Sequence, residues 1–173
     1  SLTAVVGGQF DQGVVDPTSW VQRVIDDYDF IGGWALAGAL TSTMVDQVEV
    51  RHPDVLVIMG GTNDLLAGAS SDDIEANLAA IARKVGADVT VISAVPPLAP
   101  KPTEATGLNE SLRGFAADHG WVYVDPFTDI RDGETFTEGA SLDGIHPTAE
   151  SYVLVGDEMS TLLRAALERR EGR

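Results

Sequence analysis

The sequence has no cysteine, only two lysines (Lys84 and Lys101), and no apolar run long enough to span a bilayer. Without cysteine there is no disulfide, no thiolate nucleophile and no cysteine-ligated zinc. The shortage of cations goes beyond lysine, since 11 Lys and Arg face 27 Asp and Glu for a formal net charge of −16. Such a charge repels phosphate backbones and anionic membranes, so neither a nucleic-acid partner nor membrane insertion is expected. No signal peptide is visible, which favours the cytoplasm, although the chain starts at Ser1 rather than Met and an upstream segment stays open. The carboxylates Asp26, Asp27 and Asp29 match no calcium loop, and no metal or cofactor is expected.

Strand-like and helix-like segments alternate along the 173 residues. Short apolar runs at 2–6, 55–59, 89–92 and 121–124 read as strands, with a further short one at 29–31. The run at 55–59 is rich in β-branched residues and ends in Gly60-Gly61, the pattern of a buried strand. Helices are expected at 18–28, 42–50, 71–85, 104–119 and 148–168. The first carries Trp20, Val21, Val24 and Ile25 on one face. The third carries the stripe Ile74, Leu78, Ile81 and Val85, with Ser71 as N-cap and Asp72, Asp73 and Glu75 in its first turn. Thr148 is the expected N-cap of the last helix. Residues 96–102 hold four prolines and read as a stiff non-helical loop, 125–144 as an irregular segment, and 169–173 as a frayed tail after one domain of 1–168.

Such alternation implies a parallel sheet covered on both faces, with sites outside the carboxyl ends of its strands. That rule selects the loops at 7–13, 32–41, 60–68, 94–103 and 125–146. Gly60-Gly61-Thr62-Asn63-Asp64 follows the strongest strand, and Asn63 can present a side-chain N–H to a developing oxyanion. It can equally form an Asn-Asp turn capping the next helix. Asp143 and His146 stand three apart before the last helix. Asp143 can accept the Nδ1 proton of His146 and leave Nε2 as a base, with Pro147 holding His146 extended. A plain helix-entry turn with an exposed histidine is the other reading. His52 and His119 suit helix C-termini. Ser42, Ser93 and Ser141 suit capping and turns.

Taken together, Gly-x-Asn-Asp after a central strand and Asp-x-x-His-Pro before the final helix resemble the SGNH (GDSL-type) hydrolase family over essentially the whole chain. Residues 34–41, Trp-Ala-Leu-Ala-Gly-Ala-Leu-Thr, resemble that family's second block, with Gly38 at its oxyanion glycine. Val95-Pro96-Pro97 also looks familial. The resemblance implies a flavodoxin-like three-layer αβα sandwich with a five-stranded parallel sheet, acting on esters or acyl groups through a Ser-His-Asp triad without a metal. The departure is at the start, where the family has Gly-Asp-Ser and this chain has Gly7-Gly8-Gln9 ahead of Gly13. Gln9 thus takes the nucleophile's position. A carboxamide cannot form the usual acyl-enzyme, and loss of a triad serine costs on the order of a million-fold in turnover. Asp11 is the possible substitute, as base or nucleophile.

Three functions follow. One is a repurposed enzyme, using His146 and Asp143 with Gly38 and Asn63 for acid–base chemistry on a small ester or carbonyl compound. Another is a binding module for an acyl or sugar ester. The third is an ordinary serine esterase in a disabled form.

Overall fold

The computed structural model describes Val15 and residues 17–171. The expected strand at 2–6 and the loop bearing Gly8, Gln9, Asp11 and Gly13 lie outside the described residues.

Three short strands, β1 (Val55–Ile58), β2 (Val89–Ser93) and β3 (Val122–Val124), form a parallel sheet in the order β1-β2-β3. Val57 pairs with Val91, and Val91 in turn with Val122. Alternate side chains of a strand leave on opposite faces. Ile92 accordingly enters one core with Ile58, Ile74, Leu78, Leu108 and Leu112. Its neighbour Val91 enters the other with Trp20, Val24, Phe127, Val155 and Met159. The first core is closed by α2 (Thr41–Gln47), α4 (Ser71–Val85) and α5 (Pro102–Asp118), the second by α1 (Val21–Val24) and α6 (Ala149–Glu171). The αβα layering expected from the sequence is therefore present, with apolar helix stripes driving it: Ile74, Leu78 and Ile81 are at most 1% exposed.

Several boundaries differ from the sequence reading, each for a local reason. Helix 18–28 contracts to Val21–Val24 and is followed by turns. Residues 29–31 carry no regular secondary structure and pair with no strand among the described residues. Five parallel strands are expected, and the described residues hold three plus a separate antiparallel pair, β4 (Arg131–Asp132) and β5 (Thr135–Phe136). That pair and a 3₁₀ turn at Thr128–Ile130 give order to the stretch read as irregular.

The cap of α4 is Ser70 rather than Ser71, its hydroxyl accepting from Asp73 N at 3.2 Å. Pro102 opens α5 instead of closing the loop before it, because a first-turn proline lacks only an N–H that would have no helical partner. The last helix continues to Glu171, through residues assigned to the tail. Thr148 caps it as expected, Oγ1 accepting from Ser151 N at 3.3 Å. An unforeseen helix, α3 (Thr62–Ala67), begins inside the glycine-rich block after β1. No described helix is long and apolar enough to cross a membrane.

Candidate active site

The turn before α6 folds back on itself. Ser141 bridges Pro147, and Thr148 N donates to Ala140 O at 2.9 Å. Within this hairpin, Asp143 Oδ1 accepts backbone N–H bonds from Ile145 at 2.9 Å and His146 at 2.8 Å. Its Oδ2 lies 2.8 Å from His146 Nδ1. An ionised carboxylate only accepts, so Nδ1 carries a proton, and in the neutral ring Nε2 then offers its lone pair. The bond from the His146 ring, followed by those from the two backbone amides, holds the Asp143 carboxyl well below the usual carboxylate range. Burial raises the phenol pKa of Tyr152 in the first turn of α6, and the nearby Asp143 charge adds to it. The His146 and Asp143 side chains are 53% and 54% exposed.

Ser141 cross-braces the turn. Its hydroxyl accepts from Gly144 N at 2.9 Å and stands 2.8 Å from His146 O, to which it donates. Gly144 is required in two ways. Its φ is +73°, and an added Cβ would meet Ala99 Cβ at 2.5 Å. That close approach lets Ala99 N donate to Gly144 O at 2.8 Å. The His146 turn is thereby moored to the loop leaving the carboxyl end of β2.

The second half of the site lies beyond the carboxyl end of β1. Gly61 starts α3 at φ +120°, pressed against Leu108 and Val95, where a Cβ would meet side-chain carbons at 3.1 and 3.3 Å. Asn63 Nδ2 donates to Ala39 O at 2.9 Å, which joins it to the loop carrying Gly38. One N–H of the amide is thus committed to bracing that loop, and the other has no protein acceptor among the described residues. Asp64 is 4% exposed and its carboxylate faces the start of α2. Both oxygens accept from Thr41 N, at 3.0 and 3.1 Å, and Oδ1 accepts from Thr41 Oγ1 at 2.6 Å. Asn77 Nδ2 donates to the same hydroxyl at 3.0 Å.

Because β1 and β2 are neighbours in the sheet, the two halves stand at one edge of it. His146 and Asp143 are brought into direct contact, and Asn63 is joined to the Gly38 loop. Gln9 and Asp11 lie outside the described residues. His52 sits just ahead of the amino end of β1 and His119 just ahead of that of β3, at the opposite edge. The helix expected at 42–50, just ahead of His52, stops at Gln47. His52 instead adopts φ +47°, its ring 3.2 Å from Gly86 O. His119 does cap α5, with Nδ1 2.9 Å from Phe115 O. Asp27, from the acidic cluster, bonds Ser160 and Arg164. Ser93 is buried and bonds Ala94 O. The sequence reading missed what Asp64 and Ser141 do. Asp64 was visible inside its motif, but its partner Thr41 is 23 residues away.

A parallel sheet layered by helices, with an Asp-His turn and an Asn-bearing turn at its carboxyl edge, defines a layered α/β protein with a candidate site where such sheets carry their sites. The chain belongs to the GDSL-like lipase/acylhydrolase family, whose model matches residues 1–154. Among solved structures it is similar to a member of the lipolytic protein G-D-S-L family from Veillonella parvula, at 19% identity and a TM-score of 0.69, covering 87% of this chain and 90% of that one. It is also similar to the psychrotrophic esterase EstA from a Pseudoalteromonas species, at 20% identity and 0.66, covering 96% and 94%. A GDSL-like lipase from Bacteroides thetaiotaomicron matches at 19% and 0.65, covering 93% and 84%. At these identities the likeness is one of fold. No curated protein sequence matches the chain.

Proposed function

We propose that this chain is a repurposed SGNH/GDSL-type protein, a single domain over 1–168 with the family's five-stranded sheet. In this reading Gln9 replaces the serine nucleophile, and His146 with Asp143 performs acid–base chemistry on a small ester or carbonyl compound. The observation that carries the reading is the 2.8 Å bond between His146 Nδ1 and Asp143 Oδ2. It fixes the tautomer and leaves Nε2 as a base.

In that role Nε2 takes a proton from a water molecule attacking an ester carbonyl, or from the carbon beside a carbonyl. The charge that appears on the carbonyl oxygen is met by the Gly38 N–H and by the Asn63 N–H not spent on Ala39. The imidazolium so formed is stabilised by Asp143, then returns its proton to the leaving oxygen or to carbon. Gln9 orients the substrate or the water through its amide, and Asp11 is the alternative group if that loop turns its carboxylate inward. No step calls for a metal or cofactor.

The test compares p-nitrophenyl acetate hydrolysis by the native chain, by Gly8→Asp/Gln9→Ser, and by each combined with His146→Ala. An inactive native chain and an active double variant would support an intact scaffold that lacks only its nucleophile. A panel of enolisable carbonyl compounds, followed by NMR for deuterium incorporation, then seeks the native reaction. If neither chain turns over any compound while an ester binds and emerges unchanged, the acid–base reading is wrong and the binding module stands. Native hydrolysis that survives His146→Ala would also overturn it.

A further inference from the structure

Helix α2 begins at Thr41, and the residue in its N-cap position is Leu40, whose side chain makes no capping bond. Leucine is among the poorest residues there, because it has no oxygen to receive the free amides of the first turn. Ser42 and Thr43 stand close by in sequence, yet neither fills the cap position. The acceptor comes instead from another element. Asp64 of α3 takes both the Thr41 N–H and the Thr41 hydroxyl, in a place where Thr41 is fully buried. No cation pairs with this carboxylate among the described residues. Its partners are the amide and hydroxyl of Thr41, the latter held in turn by Asn77.

The adjacent residue makes the matching bond, Asn63 Nδ2 to Ala39 O. Two consecutive side chains of one helical turn therefore grip the backbone at 39 and at 41, two residues apart. Gly38 lies immediately outside this grip, at φ +76°. Its direction relative to Asn63 follows from where 39 and 41 are held. A local N-cap would have secured α2 without fixing where α2 stands. A buried carboxylate reaching across from α3 does both.

From this we infer that Asp64 is a positioning residue, which sets the Gly38 N–H against the Asn63 amide. The inference rests on the proposed reading of those two groups as oxyanion donors. Asp64 touches no substrate and acts through Thr41 and the 39–41 backbone.

The experiment separates capping from positioning. In the Gly8→Asp/Gln9→Ser background, Asp64→Ala is made alone and together with Leu40→Ser, which returns a conventional cap to α2. Asp64→Ala is expected to lower the thermal midpoint by at least about 3 °C and kcat for p-nitrophenyl acetate by about a hundredfold, with KM little changed. Adding Leu40→Ser should recover much of the midpoint and little of kcat. Recovery of both would overturn the inference and make Asp64 only a distant cap.

A second arm needs no activity. In the ¹⁵N spectrum of the native chain, the two Asn63 side-chain protons should be well separated, one being bonded to Ala39 O. They should move together and exchange faster in Asp64→Ala/Leu40→Ser, but not in Leu40→Ser alone. An unchanged pair in the Asp64 variant would overturn the inference even where no variant hydrolyses an ester. Loss of the separation where no variant hydrolyses an ester would uphold it independently of the proposed chemistry.

Discussion

The two halves of the candidate site are built on opposite plans. The His146 turn is half exposed, and most of its bonds close within the six residues 141–146, Ser141 to Asp143 to His146. The pairing of Ser141 with Pro147, the bond from Thr148 N to Ala140 O and the mooring of Gly144 to Ala99 extend beyond it. The Asn63 half holds its polar core buried and draws on residues that are distant in sequence, with Thr41 and Asn77 lying on different helices from Asp64. A turn that carries its own bonds can keep its shape while standing in water. A grip assembled from three helices keeps its shape only while those helices stay packed. Loss of a side chain should therefore spread differently: narrowly into chemistry for His146, broadly into chemistry and stability together for Asp64.

The largest effect tests the first half. In Gly8→Asp/Gln9→Ser, His146→Ala should cut kcat by at least about a thousandfold and lower the urea midpoint only slightly, by the share of its half-exposed bond to Asp143. A marked loss of stability would break the contrast. Gly144→Ala comes next. An alanine there must hold a positive φ and also collide with Ala99, so it should destabilise by about 2 kcal/mol or more, read by chemical denaturation. A neutral result would show that the mooring to Ala99 is dispensable.

The third is a pH effect of modest size. Asp143 is depressed when folded, so its contribution is fully present above the ordinary carboxylate pKa of about 4. It is lost as pH falls below that, towards the folded value. Asp143→Asn should flatten this acid limb in a thermal-melt series between pH 5 and 2. Because the pair is half exposed, the limb should also shrink in high salt. The smallest effect lies at the far end of α2, where Lys84 Nζ bonds Val45 O at 2.8 Å and Asp46 O at 3.1 Å. Lys84→Met should cost no more than about 1 kcal/mol and leave kcat unchanged. A fall in kcat would mean that α2 is positioned from both ends.

The same contrast explains what could be read from the sequence. Asp143 and His146 are three apart, and short spacing in a turn before a proline limits where the two side chains can go. Ile74, Leu78 and Ile81 were equally legible, because helical period alone places them on one buried stripe. The Asp64–Thr41 contact was not, since no local rule links residues 23 apart. Its one trace in the sequence is a leucine where a helix would ordinarily take a capping side chain. Helix α3 was missed because Gly60, Gly61 and Gly68 look like loop, whereas two of them are its boundaries, at φ +120° and +86°. Helix 18–28 was overextended because its apolar face continues to Ile25, while the backbone turns away after Val24. The role of Gln9 is argued from alignment with the family pattern alone, and that loop lies outside the described residues.

The exposure of the His146 ring has a consequence for timing. In the proposed role, a base whose side chain is half exposed can trade its Nε2 proton with bulk water and buffer directly, with no internal wire of groups to reset it. The cost is a watery setting in which each charge acts weakly. Rate then depends more on how well the ring is aimed than on how strongly it pulls.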